Sequence, residues 1–251
     1  MIRPTLVLLH GWGLGPRVWA GLRDALPPDL NIIAPALPGH ASAPPAPGAD
    51  IGAWSDALLP ALPERAVLCG WSLGGLIALD LAHRYPDQVE RLVLIGTSPC
   101  FVSHTVEDDV GWPNGLSSDT VAGFIASFAT DPATTLRRFL ALQALGDARR
   151  RAVNTGLDTA LAGLDGNRTA ALADGLRLLA ATDLRSIVRD IRQPVHCIHG
   201  TGDALMPVTA ARWLAQQGRH AQLTLFDDCG HAPFLSRPND CAAVIAGALR
   251  D

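Results

Sequence analysis

Ala66-Val67-Leu68-Cys69-Gly70-Trp71-Ser72-Leu73-Gly74-Gly75-Leu76-Ile77-Ala78-Leu79 is the stretch on which the fold turns. Arg65–Cys69 reads as a short buried strand, and Gly75–Tyr85 as a helix that Pro86 stops, because proline cannot continue the backbone ladder. Between them Gly70-Trp71-Ser72-Leu73-Gly74 has the form G-x-S-x-G. Small residues on both sides of a serine allow a sharp strand-to-helix turn that lifts the hydroxyl above the sheet as a nucleophile. A serine after a strand can also be a plain helix N-cap, so the remainder of the chain has to decide.

Outward from that turn, Thr5–Leu9, Asn31–Ala34, Arg91–Ile95, Val195–His199 and Gln222–Phe226 repeat the short apolar pattern with helical stretches between. Strands alternating with helices predict a parallel sheet with crossover helices on both faces. From about Ser103 to Arg189 the pattern gives way to short helical segments punctuated by Pro113, Gly115, Pro132 and Gly146, with no convincing strand. This predicts a sheet domain of residues 1–102 and 190–251 interrupted by a helical cap at 103–189.

Loops at strand C-termini are where open α/β sheets carry chemistry. Gly200-Thr201-Gly202-Asp203 follows the fifth strand, and Gly230-His231-Ala232-Pro233 follows the sixth. Ser72, Asp203 and His231 therefore occur in the order nucleophile, acid, base that an α/β-hydrolase triad requires. Asp227 and Asp228 are rival acids, but they stand too close to His231 in sequence to reach behind its ring. His10-Gly11-Trp12-Gly13 after the first strand offers the second half of an oxyanion hole, formed by the backbone amides of Trp12 and Leu73. The His10 imidazole itself is expected only to close the turn, and His40, His83, His104, His196, His199 and His220 are expected to be core or surface residues.

The bulk properties agree with one well-packed globular unit. The 251 residues are 48% hydrophobic and 18% charged, with a net charge of −4, which gives no drive toward nucleic acid or anionic lipid. No apolar run is long enough to span a membrane, and Met1-Ile2-Arg3-Pro4 lacks the features of a leader, so a cytoplasmic protein is expected. Five scattered cysteines without a C-x-x-C pair predict neither disulfides nor a zinc site. The triad chemistry calls for no cofactor and no metal, and a monomer is expected.

Five segments carry a closer likeness: His10-Gly11-Trp12-Gly13-Leu14, Gly70 to Leu76, Ser98-Pro99-Cys100-Phe101, Arg138-Phe139-Leu140-Ala141-Leu142-Gln143, and His231-Ala232-Pro233-Phe234. Together they resemble the pimeloyl-acyl-carrier-protein methyl ester esterases of biotin synthesis. The resemblance runs over nearly the whole chain, and its cap segment is the most specific part. It implies hydrolysis of the methyl ester at the far end of a pimeloyl chain borne by an acyl-carrier protein. It also implies a substrate site lined by Trp12, Ser72, Leu73, Phe139, Leu140, Ala141, Leu142, Gln143 and His231. Since the carrier is a small acidic protein, Arg138, Arg149, Arg150 and Arg151 are the expected docking residues. Two departures stand out. Only nine residues precede His10, which predicts a smaller sheet with a more exposed edge, and the turn after the second strand reads Ala36-Leu37-Pro38-Gly39-His40-Ala41 in place of Asp-Leu-Pro-Gly-x-Gly. A small-ester carboxylesterase, an enol-lactonase, a haloperoxidase-type perhydrolase and a ligand-binding receptor are the alternatives on the same fold.

Overall fold

The computed structural model describes residues 5–104, 111–161 and 169–250. Six strands, β1 (Thr5–Leu9), β2 (Ile32–Ile33), β3 (Ala66–Trp71), β4 (Val89–Ile95), β5 (Val195–Gly200) and β6 (Ala221–Phe226), form one sheet in the order β2-β1-β3-β4-β5-β6. Every pairing is parallel. The strands fall where the apolar runs place them, with β3 and β5 reaching one or two residues further toward the site. β2 is the short edge strand, with two residues paired to β1.

Alternation along the strands divides the core into two layers. Val7, Leu9, Leu68, Leu92 and Leu94 face one side, packed with α2 (Ile51–Leu58), α3 (Leu73–Arg84) and α8 (Val208–Gln217). Leu6, Leu8, Val67, Cys69, Val93 and Ile95 face the other, packed with α1 (Ala20–Ala25) and α10 (Pro238–Ala248). The fold is thus the α/β-hydrolase fold predicted from the sequence.

Between β4 and β5 lie α4 (Ser118–Thr130), α5 (Pro132–Gln143), α6 (Arg150–Leu161) and α7 (Thr169–Ala181). Asp131 ends α4 and opens α5, its carboxylate accepting from the Thr134 amide at 3.0 Å and Pro132 supplying the first helical position. The roots of this insertion contain single-residue β-bridges that the sequence did not signal: Cys100 with Asp183, Val102 with Leu116 and His104 with Trp112. One-residue pairings leave no periodic pattern to read. The short helix α9 (Pro233–Ser236) follows the His231 loop.

Candidate active site

Ser72 stands alone between β3 and α3 with φ 55° and ψ −118°, a left-handed conformation that costs a residue with a Cβ about 1–3 kcal/mol. The surroundings hold it there. The Ser72 amide donates to the Ile95 carbonyl at 3.0 Å, and the Ser72 carbonyl accepts from Gly75 and Leu76 at 2.9 and 3.2 Å. A Cβ on Gly74 would come within 2.2 Å of the Leu9 carbonyl oxygen, so only glycine lets α3 start against the end of β1. The same Cβ would lie 2.6 Å from the His10 carbonyl oxygen, so the start of α3 abuts the loop that carries Trp12. The turn is tighter than the sequence suggests, because Gly70 and Trp71 still belong to the strand.

His231 and Asp203 meet from separate loops: His231 Nδ1 donates to Asp203 Oδ2 at 2.7 Å. Both side chains are fully buried. The other carboxylate oxygen accepts from the amides of Leu205 and Met206, each at 2.9 Å. Burial alone would raise the Asp203 pKa, but the charge and hydrogen bond of His231, with His199 and the Met206 amide, hold it below the usual carboxylate range. With its proton on Nδ1, His231 presents a lone pair at Nε2, which has no hydrogen-bond partner among the described residues. The ring lies against Gly96 at the end of β4, next to the Ile95 carbonyl that anchors Ser72. Asp227 and Asp228 are exposed, and their carbonyls accept from the Arg237 side chain and the Ala148 amide.

Three residues that sequence reasoning did not find support the two loops, Trp71 and Asp147 the His231 loop and His199 the Asp203 loop. Trp71 Nε1 donates to the His231 carbonyl at 3.0 Å. Buried Asp147, from the linker between α5 and α6, accepts from the Gly230 amide at 3.0 Å and from the Arg149 amide at 2.7 Å. His199 is buried, and its Nε2 lies 2.8 Å from the Met206 carbonyl and 3.4 Å from Asp203 Oδ2, a second imidazole behind the acid. Burial depresses the His199 pKa, so the ring is neutral and serves as a donor. The linker also touches the acid loop, since a Cβ on Gly146 would fall 2.0 Å from the Gly202 carbonyl oxygen.

His10 closes its turn as expected, yet it does so with His40 as a partner. Leu37 N donates to His10 Nε2 and Gly13 N donates to His40 Nε2, both at 3.1 Å, and the rings meet edge-on with centroids 5.2 Å apart. The loops after β1 and β2 are thereby joined through two buried imidazoles. Trp12 points into the insertion: its Nε1 donates to the Leu172 carbonyl at 2.8 Å, and its ring meets Phe128 and Phe139 edge-on at 5.4 and 5.0 Å. Edge-on aromatic pairs contribute about 0.5–1.5 kcal/mol each beyond their burial, so the insertion fixes the backbone of the Trp12 loop.

The run Phe139–Gln143 divides by helical periodicity. Phe139 and Leu142 line an apolar cleft with Phe101, Phe124, Leu176 and Leu205. Leu140 packs into the opposite core layer, and Ala141 is exposed. Buried Gln143 accepts the His231 amide on its carbonyl at 3.2 Å. The arginines divide too. Arg138 is exposed on α5, while Arg150 and Arg151 line an open groove with Arg17 beside α6 and α9. Arg149 also borders that groove, but its guanidinium donates to the Ser236 carbonyl at 3.0 Å. Among the described helices, none is long and apolar enough to cross a membrane.

Residues 6–244 match a family described as "Alpha/beta hydrolase family". The chain is 62% identical, over the full length of both proteins, to a pimeloyl-[acyl-carrier protein] methyl ester esterase of Aromatoleum aromaticum. It is 37% identical to the protein of the same description from Nitrosomonas europaea, spanning 94% of this chain and 91% of that one. With the biotin biosynthesis bifunctional protein of Teredinibacter turnerae it shares 36% identity over 99% of this chain and 45% of that one. Among solved structures, an esterase from Exiguobacterium antarcticum superposes with a TM-score of 0.86 at 20% identity, covering 100% of this chain and 94% of that one. An enol-lactonase from Burkholderia xenovorans does so with 0.85 at 21%, covering 100% and 93%. At these identities the superpositions speak for the fold.

Proposed function

The chain belongs to the alpha/beta hydrolase family, and from that premise we propose that it is a serine carboxylesterase that removes the methyl ester from a pimeloyl chain borne by acyl-carrier protein, in biotin synthesis. The observation that carries the substrate is the 62% identity across the whole of both chains to an esterase of that description. In the proposed mechanism His231 Nε2 takes the Ser72 proton as Oγ attacks the ester carbonyl. The amides of Trp12 and Leu73 receive the oxyanion, where such donors contribute about 3–4 kcal/mol each to the transition state. The protonated His231 passes its proton to the departing methoxide, which leaves as methanol. Water, deprotonated by the same nitrogen, then cleaves the acyl-enzyme, releasing the pimeloyl carboxylate and regenerating Ser72. Asp203 keeps the Nδ1 proton in place and stabilises the cation that forms on the ring.

The insertion serves as a cap. Its apolar cleft suits a methylene chain, and Leu205, two residues from Asp203, ties that cleft to the acid loop. Arg138, Arg150 and Arg151, exposed on its outer side, are the residues we assign to the acidic carrier, with Arg149 in a supporting position through Ser236.

The test compares kcat/KM for methyl pimelate free in solution and linked to the carrier. The carrier-linked ester is expected to be preferred by ~10-fold or more, the scale on which charge complementarity acts, with the preference shrinking at high salt. Equal turnover of both would reassign the protein as a small-ester carboxylesterase.

A further inference from the structure

We propose that Cys100, His104 and Asp183 form a binding site for one zinc-like divalent cation, which would fasten together the two roots of the helical insertion. Their ligand atoms all lie within 4.8 Å of one another, and Cys100 Sγ stands 3.4 Å from His104 Nε2. A tetrahedral cation with bonds of ~2.3 Å to sulfur and ~2.0–2.1 Å to nitrogen separates those two atoms by about 3.5 Å. Little movement is needed to admit it. Thiolate, imidazole and carboxylate together suit Zn²⁺ or Co²⁺, whereas Mg²⁺ and Ca²⁺ take oxygen ligands.

The backbone already holds the ligands. Cys100 is bridged to Asp183, and Leu184 N donates to the Pro99 carbonyl at 2.8 Å. His104 and Trp112 exchange two amide hydrogen bonds of 3.0 and 2.9 Å. Trp112 Nε1 and Ser98 Oγ both donate to the Cys100 carbonyl, at 3.0 and 2.6 Å. Cys100 is buried, His104 half-buried and Asp183 open to solvent, which leaves a cation an entry path.

Arg185 is the charged group facing the site. It grips the Asp183 carboxylate through Nε, 2.9 Å from each oxygen, and through Nη2 at 2.6 Å, while standing over the Trp112 ring. A guanidinium behind a ligating carboxylate is the kind of outer contact that orients metal ligands. Burial, with the Asp183 charge, pushes the Cys100 thiol up to about 11. The free protein at neutral pH therefore holds a thiol there, which donates to the Val102 carbonyl at 3.2 Å. Cation binding would release that proton to solvent.

The ligands belong to different parts of the chain: Cys100 and His104 lie on the way out of the sheet, and Asp183 on the way back. Phe101, beside Cys100, lines the apolar cleft. A bound cation would tie the cleft wall to both ends of the insertion.

Titration of the purified full chain with Co²⁺ tests this directly. The expected result is one equivalent bound with a near-ultraviolet thiolate-to-cobalt absorption, bleached by Zn²⁺, and a Tm raised by roughly 5 °C or more at saturation. Cys100→Ser and the more accessible His104→Asn should each lose the absorption and the thermal shift, while Cys229→Ala keeps both. No thiolate absorption, binding only at millimolar cation, or a band that survives in Cys100→Ser would overturn the proposal.

Discussion

The sheet side and the insertion side of the site are built by opposite means. On the sheet side, position is set by backbone meeting backbone at distances no side chain could share, as where Gly74 abuts Leu9. Ser72 keeps a strained conformation because the segments around it cannot move apart. On the insertion side, position is set by side chains: Trp12 among phenylalanines, and Phe139 and Leu142 against the cleft. Aromatic and aliphatic packing tolerates exchange of shape at modest cost, whereas a backbone contact does not. The Ser72 turn rests on the first kind of construction, and the apolar cleft on the second. The end of α5 and its linker to α6 join the two, through Gly146 to the acid loop and through Gln143 and Asp147 to the base loop.

Substitutions on the sheet side should therefore fail for every ester alike. Ser72→Ala is expected to lower kcat by ~10⁴-fold or more on free and carrier-linked substrates and to abolish labelling by a fluorophosphonate. Asp203→Asn should cost ~10⁴-fold by presenting the wrong tautomer of His231. Labelling at another serine, or a comparable loss in Asp227→Asn, would dissolve the assignment.

The junction should give a smaller effect of a different character. Asp147→Ala leaves the Gly230 and Arg149 amides without their acceptor, and kcat is expected to drop ~10- to 100-fold with KM nearly constant, since small displacements of a base act on the chemical step. Asp147→Asn, which keeps an oxygen acceptor, should recover part of it. A lowered Tm with unchanged kcat would make Asp147 structural only. Smallest of all, Arg138, Arg150 and Arg151 changed together to alanine should reduce carrier-linked kcat/KM by ~10-fold and leave a free ester untouched. Equal losses on both substrates would place these arginines with the fold and erase the distinction between the two sides.

The parts legible in the sequence were those with a local signature. Ser72, Asp203 and His231 each follow a recognisable strand, and the strands themselves are apolar runs of the right length. The supporting contacts had none. His199 looked like any strand histidine, because its partners Asp203 and Met206 come beside it only when the loop after β5 folds back, and Asp147 looked like one acid in a basic stretch, because the Gly230 amide it holds is 83 residues away. The division of Phe139–Gln143 into cleft-lining, core and exposed positions was implicit in helical spacing, but which face meets the cleft depends on how α5 packs. Cys100, His104 and Asp183 were hidden for the same reason, in a segment whose pairings are one residue long.

The two imidazoles that join the β1 and β2 loops make the Trp12 side of the site answerable to acid. Burial first, and His40 second, lower the His10 pKa to about 3, so between about pH 6.5 and pH 3 the ring is neutral in the folded protein and charged in the unfolded one. The unfolded chain takes up this proton below its ordinary value near 6.5 and the folded chain does not. The contribution is therefore intact above about pH 6.5 and drains away as pH falls toward about 3, at ~1.4 kcal/mol per pH unit. Urea midpoints measured between pH 7 and 4 should fall along that slope and flatten in His10→Asn, and an unchanged slope would remove His10 from the account. Only near and below about pH 3 does the folded chain itself take a proton on His10, which withdraws the acceptor of the Leu37 amide, so strong acid acts on this protein as an uncoupler of two loops, one of which carries Trp12.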